Sequence, residues 1–177
     1  MHNGSMSLKI RAHGALAPNF SATEFRAALG MFATGVTIVT ARSADGALIG
    51  LTANSFNSVS LEPPLVLWSL AQKAASMAAF RTGTHYAVNI LSAEQQDLAR
   101  QFASQGVDRF QGVRYTLGAA GAPLIEGALA TFECFNRSRY EEGDHVIFVG
   151  EVERCAYREA TAPLLFHGGK FYTEHPL

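Results

Sequence analysis

The chain has 177 residues, with 14 basic and 15 acidic side chains for a formal charge of -1. That size fits one domain, and the lack of a basic excess argues against a nucleic acid or an anionic membrane as partner. Charged residues make up 16% and hydrophobic residues 48%, against roughly 25% charged in an ordinary soluble domain, which excludes intrinsic disorder and indicates a surface partly covered by another subunit or a large ligand.

Residues 1–19 read as a poorly ordered leader in which Met6 offers an alternative start, and one domain is expected over residues 20–177. The leader lacks the apolar core of a signal peptide, and no stretch reaches the roughly 18 uninterrupted apolar residues of a membrane span, so a soluble cytoplasmic protein is expected. Ser21-Ala-Thr-Glu24 is a capping box, and Phe25, Leu29 and Phe32 fall at i, i+4 and i+7 on one face of a helix that Gly35 is expected to end. Residues 36–42 are β-branched and roughly alternating, Ser43-Ala-Asp-Gly46 supplies turn residues, and residues 48–58 return as the second arm of a hairpin. After Glu62-Pro63-Pro64, the almost wholly apolar residues 65–70 are predicted to form a strand buried on both faces.

A helix is predicted over residues 71–80, stopped near Gly83, followed by a strand over 85–91. Ser92-Ala-Glu-Gln95 is a second capping box, opening a helix that carries Leu98 and Phe102 on one face and ends near Gly106. Further strands are predicted over 113–117, 128–136, 145–154 and 164–172. There is no internal repeat or linker, and no regular strand-helix-strand alternation of a doubly wound parallel sheet. The expected fold class is mainly β, an antiparallel barrel with accessory helices, which removes the sheet edges that a weakly charged surface would leave open to aggregation.

Cys134 and Cys155 form no disulfide framework, and no Cys-x-x-Cys or His-x-x-x-His spacing marks a metal site, so buried free thiols in a reducing cytoplasm and no metal are expected. No glycine-rich dinucleotide fingerprint, phosphate-binding loop, nucleophile elbow or His-Glu-x-x-His is present. The unusual segment is Gly50-Leu-Thr-Ala-Asn-Ser-Phe-Asn-Ser-Val-Ser60, where hydroxyls and amides crowd a strand-like stretch. It reads either as an edge strand with a solvated face or as a ligand wall, whose neutral donors and acceptors at Thr52, Asn54 and Ser55 suit a heteroaromatic ring. Ser69, Lys73 and Ser76, the last two at i, i+3 on one helical face near an N-terminus, read either as a phosphate cradle or as ordinary surface residues. In Gly143-Asp-His145 the histidine reads either as a capped surface residue at the mouth of a strand or as a site residue whose tautomer Asp144 fixes. His167 lies in Phe166-His-Gly-Gly-Lys-Phe-Tyr172, where glycines permit close approach and aromatic rings can stack on a planar group.

Phe32-Ala-Thr-Gly-Val-Thr-Ile-Val-Thr40, Leu51-Thr-Ala-Asn-Ser-Phe-Asn-Ser-Val-Ser60, Pro63-Pro-Leu-Val-Leu67, Gly143-Asp-His145 and the aromatic Gly-Gly segment, taken in that order, resemble the flavin reductase family. These are small NAD(P)H-dependent reductases that supply reduced flavin to two-component monooxygenases. The resemblance covers residues 20–172. It implies an FMN-binding split barrel, a homodimer, FMN or FAD held without a dinucleotide fingerprint, a flavin-dependent oxygenase partner, and NADH or NADPH as cosubstrate. NADH is favoured, because nothing resembles an NADP-specific arginine cluster.

By the same resemblance, Thr34, Gly35, Val36, Thr52, Ala53, Asn54 and Ser55 line the isoalloxazine and ribityl chain. Ser69, Lys73 and Ser76 lie near the phosphate, and Phe102, Arg109 and Phe110 over the flavin or its tail. His145 matches the histidine beside the nicotinamide, with Asp144 orienting it and Tyr172 and Phe171 closing that side. Hydride transfer then needs stacking and orientation from the protein rather than an acid, base or nucleophile. Two other readings are a pyridoxamine phosphate oxidase-like FMN enzyme on the same barrel, for which Lys73, Arg81, Arg109 and Arg114 are a sparse cationic set, and a non-catalytic flavin-binding module.

Overall fold

Residues 16–159 and 162–175 are described by a computed structural model, so most of the expected leader lies outside the described residues. Helix α1 (Ala22–Leu29) opens on the first capping box: the Glu24 N–H donates to Ser21 Oγ at 3.2 Å, and the Ser21 N–H to the Glu24 carboxylate at 2.7 Å. It ends at Gly30, earlier than expected, and the chain enters β1 (Thr34–Gly35). Strands β2 (Thr37–Arg42) and β3 (Leu48–Ala53) form the predicted hairpin. The second arm does not run on to Ser58; it breaks at a corner, residues 54–56, and resumes as β4 (Asn57–Leu61), followed by β5 (Pro64–Ala71).

The helix expected over 71–80 is only half there, as α2 (Met77–Thr82). Its first part is a turn, because the Gln72 N–H donates to the Asp144 carbonyl at 2.9 Å and ties that stretch to a neighbouring strand turn. Strand β6 (His85–Ile90) follows. The second capping box is present but heads a single 3-10 turn, Ala93–Gln95, which leads into α3 (Gln96–Ala103). The remaining strands are β7 (Tyr115–Leu117), β8 (Pro123–Ile125), the long pair β9 (Ala130–Glu142) and β10 (His145–Tyr157), and the terminal hairpin β11 (Leu165–His167) and β12 (Lys170–Tyr172).

Seven strands form one antiparallel sheet in the order β3-β2-β6-β9-β10-β5-β4. The two edges, β3 and β4, are consecutive in sequence and joined only by the corner 54–56. A flat seven-stranded sheet would hold its edges about 29 Å apart, whereas the four Cα steps from Ala53 to Asn57 reach at most about 15 Å. The sheet therefore curls into a barrel split at that seam. A small sheet, β1-β11-β12, and the pair β7-β8 complete the fold.

The barrel interior is an aromatic cluster: the Trp68 ring stacks on Phe148 at 4.9 Å and meets Phe80 and Tyr86 edge-on. A second core lies outside the barrel wall, where Val36, Ile38, Leu91, Ala99, Phe102, Ile125 and Leu164 pack together. Strand β2 separates the two, with Val39 and Ala41 facing one and Ile38 the other, so β2 is the strand buried on both faces. Strand β5, expected to be so, instead alternates: Val66, Trp68 and Leu70 point inward, and Leu65, Leu67 and Ser69 are half-buried on the outer face. No helix among the described residues is long and apolar enough to cross a membrane.

Candidate active site

The polar run of β3 and the corner after it border three adjoining cavities. The first, of about 210 Å³, is lined by Val36, Thr52, Ala53, Asn54, Arg100, Phe166 and Phe171. The second, of about 260 Å³, is lined by Thr52, Ala53, Asn54, Ser55, Ser69 and His145. The third, of about 790 Å³, is lined by Thr52, Lys73, Ser76, Phe102, Gln105 and Arg109. Thr52 belongs to all three, so they form one groove along β3, with α3 as its opposite wall.

Packing fixes this groove. The Thr52 hydroxyl donates to the Ala99 carbonyl at 2.6 Å, which locks α3 against β3. Ser55 Oγ accepts from the Ser69 N–H at 3.0 Å and donates to the Ser69 carbonyl at 3.2 Å, so this hydroxyl pins the barrel seam while lining the groove. Thr34, registered opposite Phe166, has its hydroxyl buried without a hydrogen-bond partner among the described residues. Its neighbour Val36 lines the first cavity, but Thr34 and Gly35 line none of the three.

At one end stands Lys73, with no ion-pair partner among the described residues. Arg109 is different: Nη1 donates to the Gly50 carbonyl at 2.8 Å, and Nε and Nη2 donate to the Ser104 carbonyl at 3.0 and 2.8 Å. Its charge faces the groove while its N–H groups strap the 104–109 loop to β3. Lys73 and Ser76 do share the groove wall, but not as an i, i+3 pair on a helix, since Lys73 lies in the turn before α2. Phe102 is fully buried, its ring edge-on to Phe110 at 5.0 Å, and supports the wall from beneath.

His145 opens β10 at the opposite lip, and its Nδ1 lies 2.7 Å from Asp144 Oδ1. The hydrogen bond from His145, reinforced by its charge, holds the exposed Asp144 carboxyl below the usual carboxylate range. Gln72 fixes this turn twice, through its N–H to the Asp144 carbonyl and its side-chain amide to the Gly143 carbonyl at 3.2 Å. Tyr172 is not brought to His145. Phe171 lines the first cavity, so its neighbour Tyr172 points to the other face of β12, half exposed, with its ring 6.1 Å from His167.

This donor set suits a flat, many-carbonyl ring with an anionic tail: a neutral wall along β3, aromatic flanks, Lys73 and Arg109 at one end and Arg100 beside Phe171 at the other. The chain matches the family described as Flavin reductase like domain over residues 29–175. It belongs to the flavin reductase family. It is 48% identical over 147 residues to the FMN reductase (NADH) SmoA of Agrobacterium fabrum, covering 83% of each chain. It is 40% identical over 150 residues to the reductase component of the flavin-dependent trigonelline monooxygenase of Acinetobacter baylyi, covering 85% of this chain but only 48% of that longer one. Among solved structures, the Streptomyces globisporus NADH:FAD oxidoreductase SgcE6 in complex with NAD and FAD fragments superposes with a TM-score of 0.85 at 42% identity, covering 92% of this chain and 98% of that one.

Within this flavin reductase domain, Phe166 and Phe171 of the aromatic segment do line the groove, whereas sequence reasoning missed Ala99, Arg100 and Ala103. Arg100 lies over the Phe171 ring at 5.7 Å. The signal was available in α3: Ala99 and Phe102 form its buried face, Arg100 and Ala103 lie beside it, and the small alanines leave room for a ligand beside β3.

Proposed function

We propose that the chain is an NADH-dependent flavin reductase that binds FMN or FAD along β3, passes it a hydride and releases the reduced flavin to an oxygenase component. The observation that carries the reading is the single groove joining a neutral wall, a free lysine and a histidine, in a chain of the flavin reductase family. When both are bound, the dihydronicotinamide supplies a hydride from C4 and two electrons pass to the flavin at N5. In this reading Thr34, Gly35, Val36 and Thr52 to Ser55 orient the ring, Lys73 and Ser76 hold the phosphate, and His145, oriented by Asp144, seats the nicotinamide. The protein moves no proton in the hydride step; it aligns donor and acceptor and keeps water from between them.

The same reading makes the functional unit a homodimer, supported by the exposed apolar side chains Phe25, Leu29 and Phe32 of the first helical stretch. It also makes the protein cytoplasmic, supported by two cysteines that are both free. The test is a pair of substitutions in a steady-state assay with separately varied NADH and FMN. His145→Ala is expected to raise the KM for NADH roughly tenfold with a small change in that for flavin, and Lys73→Ala to do the reverse. Variants that leave both constants unchanged would remove these residues from the site.

A further inference from the structure

The groove is cationic at both ends, whereas an oxidised flavin is anionic at one only. Lys73 and Arg109 line the 790 Å³ cavity and suit the phosphate. Among the described residues that line the first cavity, Arg100 alone is charged, and it faces Val36, Ala53, Asn54 and the rings of Phe166 and Phe171. Ala103, one helical turn after Arg100, lines both cavities, so a ligand anchored at Lys73 runs along α3 toward Arg100. The neutral ring of an oxidised flavin has no use for a cation there. We propose that Arg100 meets the negative charge that the ring acquires on reduction, so that the groove binds reduced flavin more tightly than oxidised flavin. The proposal rests on the flavin reading of the groove.

Hydride transfer itself creates the charge. A hydride carries two electrons and one proton, so a ring that is neutral before it arrives at N5 bears one negative charge afterwards, spread over N1 and the C2 carbonyl, while the nicotinamide leaves as its cation. Arg100 is placed to take up that charge. Its guanidinium carbon lies over the Phe171 ring at 5.7 Å, and a guanidinium laid on an aromatic face keeps its edge N–H groups free for an acceptor. Phe171 is held edge-on to Phe166 at 5.5 Å and packs against the outer core, so the platform is fixed. The carboxylate paired with Arg100 among the described residues is Asp97, 3.5 Å away and 97% exposed. So loose and solvated a pair leaves the cation available to a ligand. A cation already in place where charge develops favours the transition state and the reduced product over the ground state.

Arg100 is exposed, so substitutions there leave the core intact. Arg100→Met keeps the length of the stem and removes the charge; Arg100→Lys keeps the charge. With the full chain in excess, the Kd for oxidised FMN and riboflavin is read by flavin fluorescence, and the midpoint potential of each bound flavin by anaerobic titration against a reference dye. R100M is expected to bind oxidised FMN within about twofold of wild type but reduced FMN roughly tenfold more weakly, which lowers the midpoint potential of the bound flavin by about 30 mV. R100K is expected to keep most of the wild-type potential, and riboflavin, which lacks the phosphate, to show the same shift in R100M as FMN. An unchanged potential in R100M would overturn the proposal, whether both oxidation states bind as in wild type or both are weakened alike. So would a raised KM for NADH at an unchanged potential, which would give the cation to the diphosphate of the nicotinamide cosubstrate. A fall in R100K equal to that in R100M would tie the effect to the stacked plane rather than to charge, and would overturn it too. Failure of FMN to bind the wild type in either oxidation state would instead overturn the flavin reading itself, and this proposal with it.

Discussion

Gly50 shows how closely the groove floor is built. A Cβ there would overlap Phe102 Cε1 and lie 2.8 Å from Cδ1 of the same ring, and Phe102 has no room to retreat, being fully buried against Phe110. Gly50→Ala is expected to cost about 1–3 kcal/mol in urea unfolding by overpacking, and a neutral result would show that the α3 contact yields. The two cysteines separate by environment. Burial pushes the Cys134 thiol up to about 12, whereas Cys155, expected to be buried as well, is exposed near the end of β10. Iodoacetamide at mildly alkaline pH is expected to label Cys155 alone in the folded chain and both in urea, read by mass spectrometry. Because the Cys134 pKa is raised in the folded state, its stabilising effect is complete below the ordinary thiol range and is lost as pH rises toward 12. The residue types of the site were legible in sequence; their secondary engagements were not. Nothing in the letters Ser55 or Arg109 says that the hydroxyl closes the barrel seam or that the guanidinium straps a loop, because both partners are backbone atoms distant in sequence.

Between elements, a few buried polar side chains do the joining. Asn89, fully buried in β6, donates to the Ile38 carbonyl at 3.0 Å and accepts from the Ile125 N–H at 2.8 Å, which couples β8 to the barrel wall. Asn89→Ala leaves that N–H unmet and is expected to destabilise by about 1–3 kcal/mol, measured as a lower urea midpoint at unchanged slope. The turn between β9 and β10 carries a pH signature. With its carboxyl held below the ordinary value, Asp144 keeps its bond to His145 at neutral pH, and that bond is lost only as pH falls through the lowered pKa. An NMR titration of Asp144 is expected to show this depressed value, and His145→Ala to restore the ordinary one; an ordinary value in the wild type would contradict the contact. Elements set by local chemistry, such as both capping boxes and the first hairpin, were legible in sequence. Those decided by distant partners were not. Alanine-rich residues 71–76 have helical propensity, yet Ala71 completes the ladder with His145 and Gln72 bonds the next turn, so tertiary hydrogen bonds win over propensity.

For the whole molecule, low charge predicted covered surface, and the fold leaves two places where such cover fits. One is the groove along β3. The other is the apolar face that Phe25, Leu29 and Phe32 leave exposed on a single chain. The sequence reading expected one helix to carry all three, but α1 ends at Leu29, so Phe32 lies beyond it, and no residue of α1 is buried in a lone chain. Sedimentation equilibrium is expected to give twice the chain mass, and Leu29→Glu to shift it toward the monomer; a monomeric wild type would leave the stripe unexplained. The barrel itself was legible because alternation, turn residues and the absence of strand-helix alternation survive in any one sequence. Its seam at 54–56 was not, since only the sheet order reveals that β3 and β4 are opposite edges. The central claim, that the groove reduces flavin and lets it go, is tested most directly under anaerobic conditions with excess NADH and flavin in large excess over protein, following loss of flavin absorbance. Bleaching of many flavins per chain is predicted; bleaching that stops at one flavin per chain, or none at all, would contradict it.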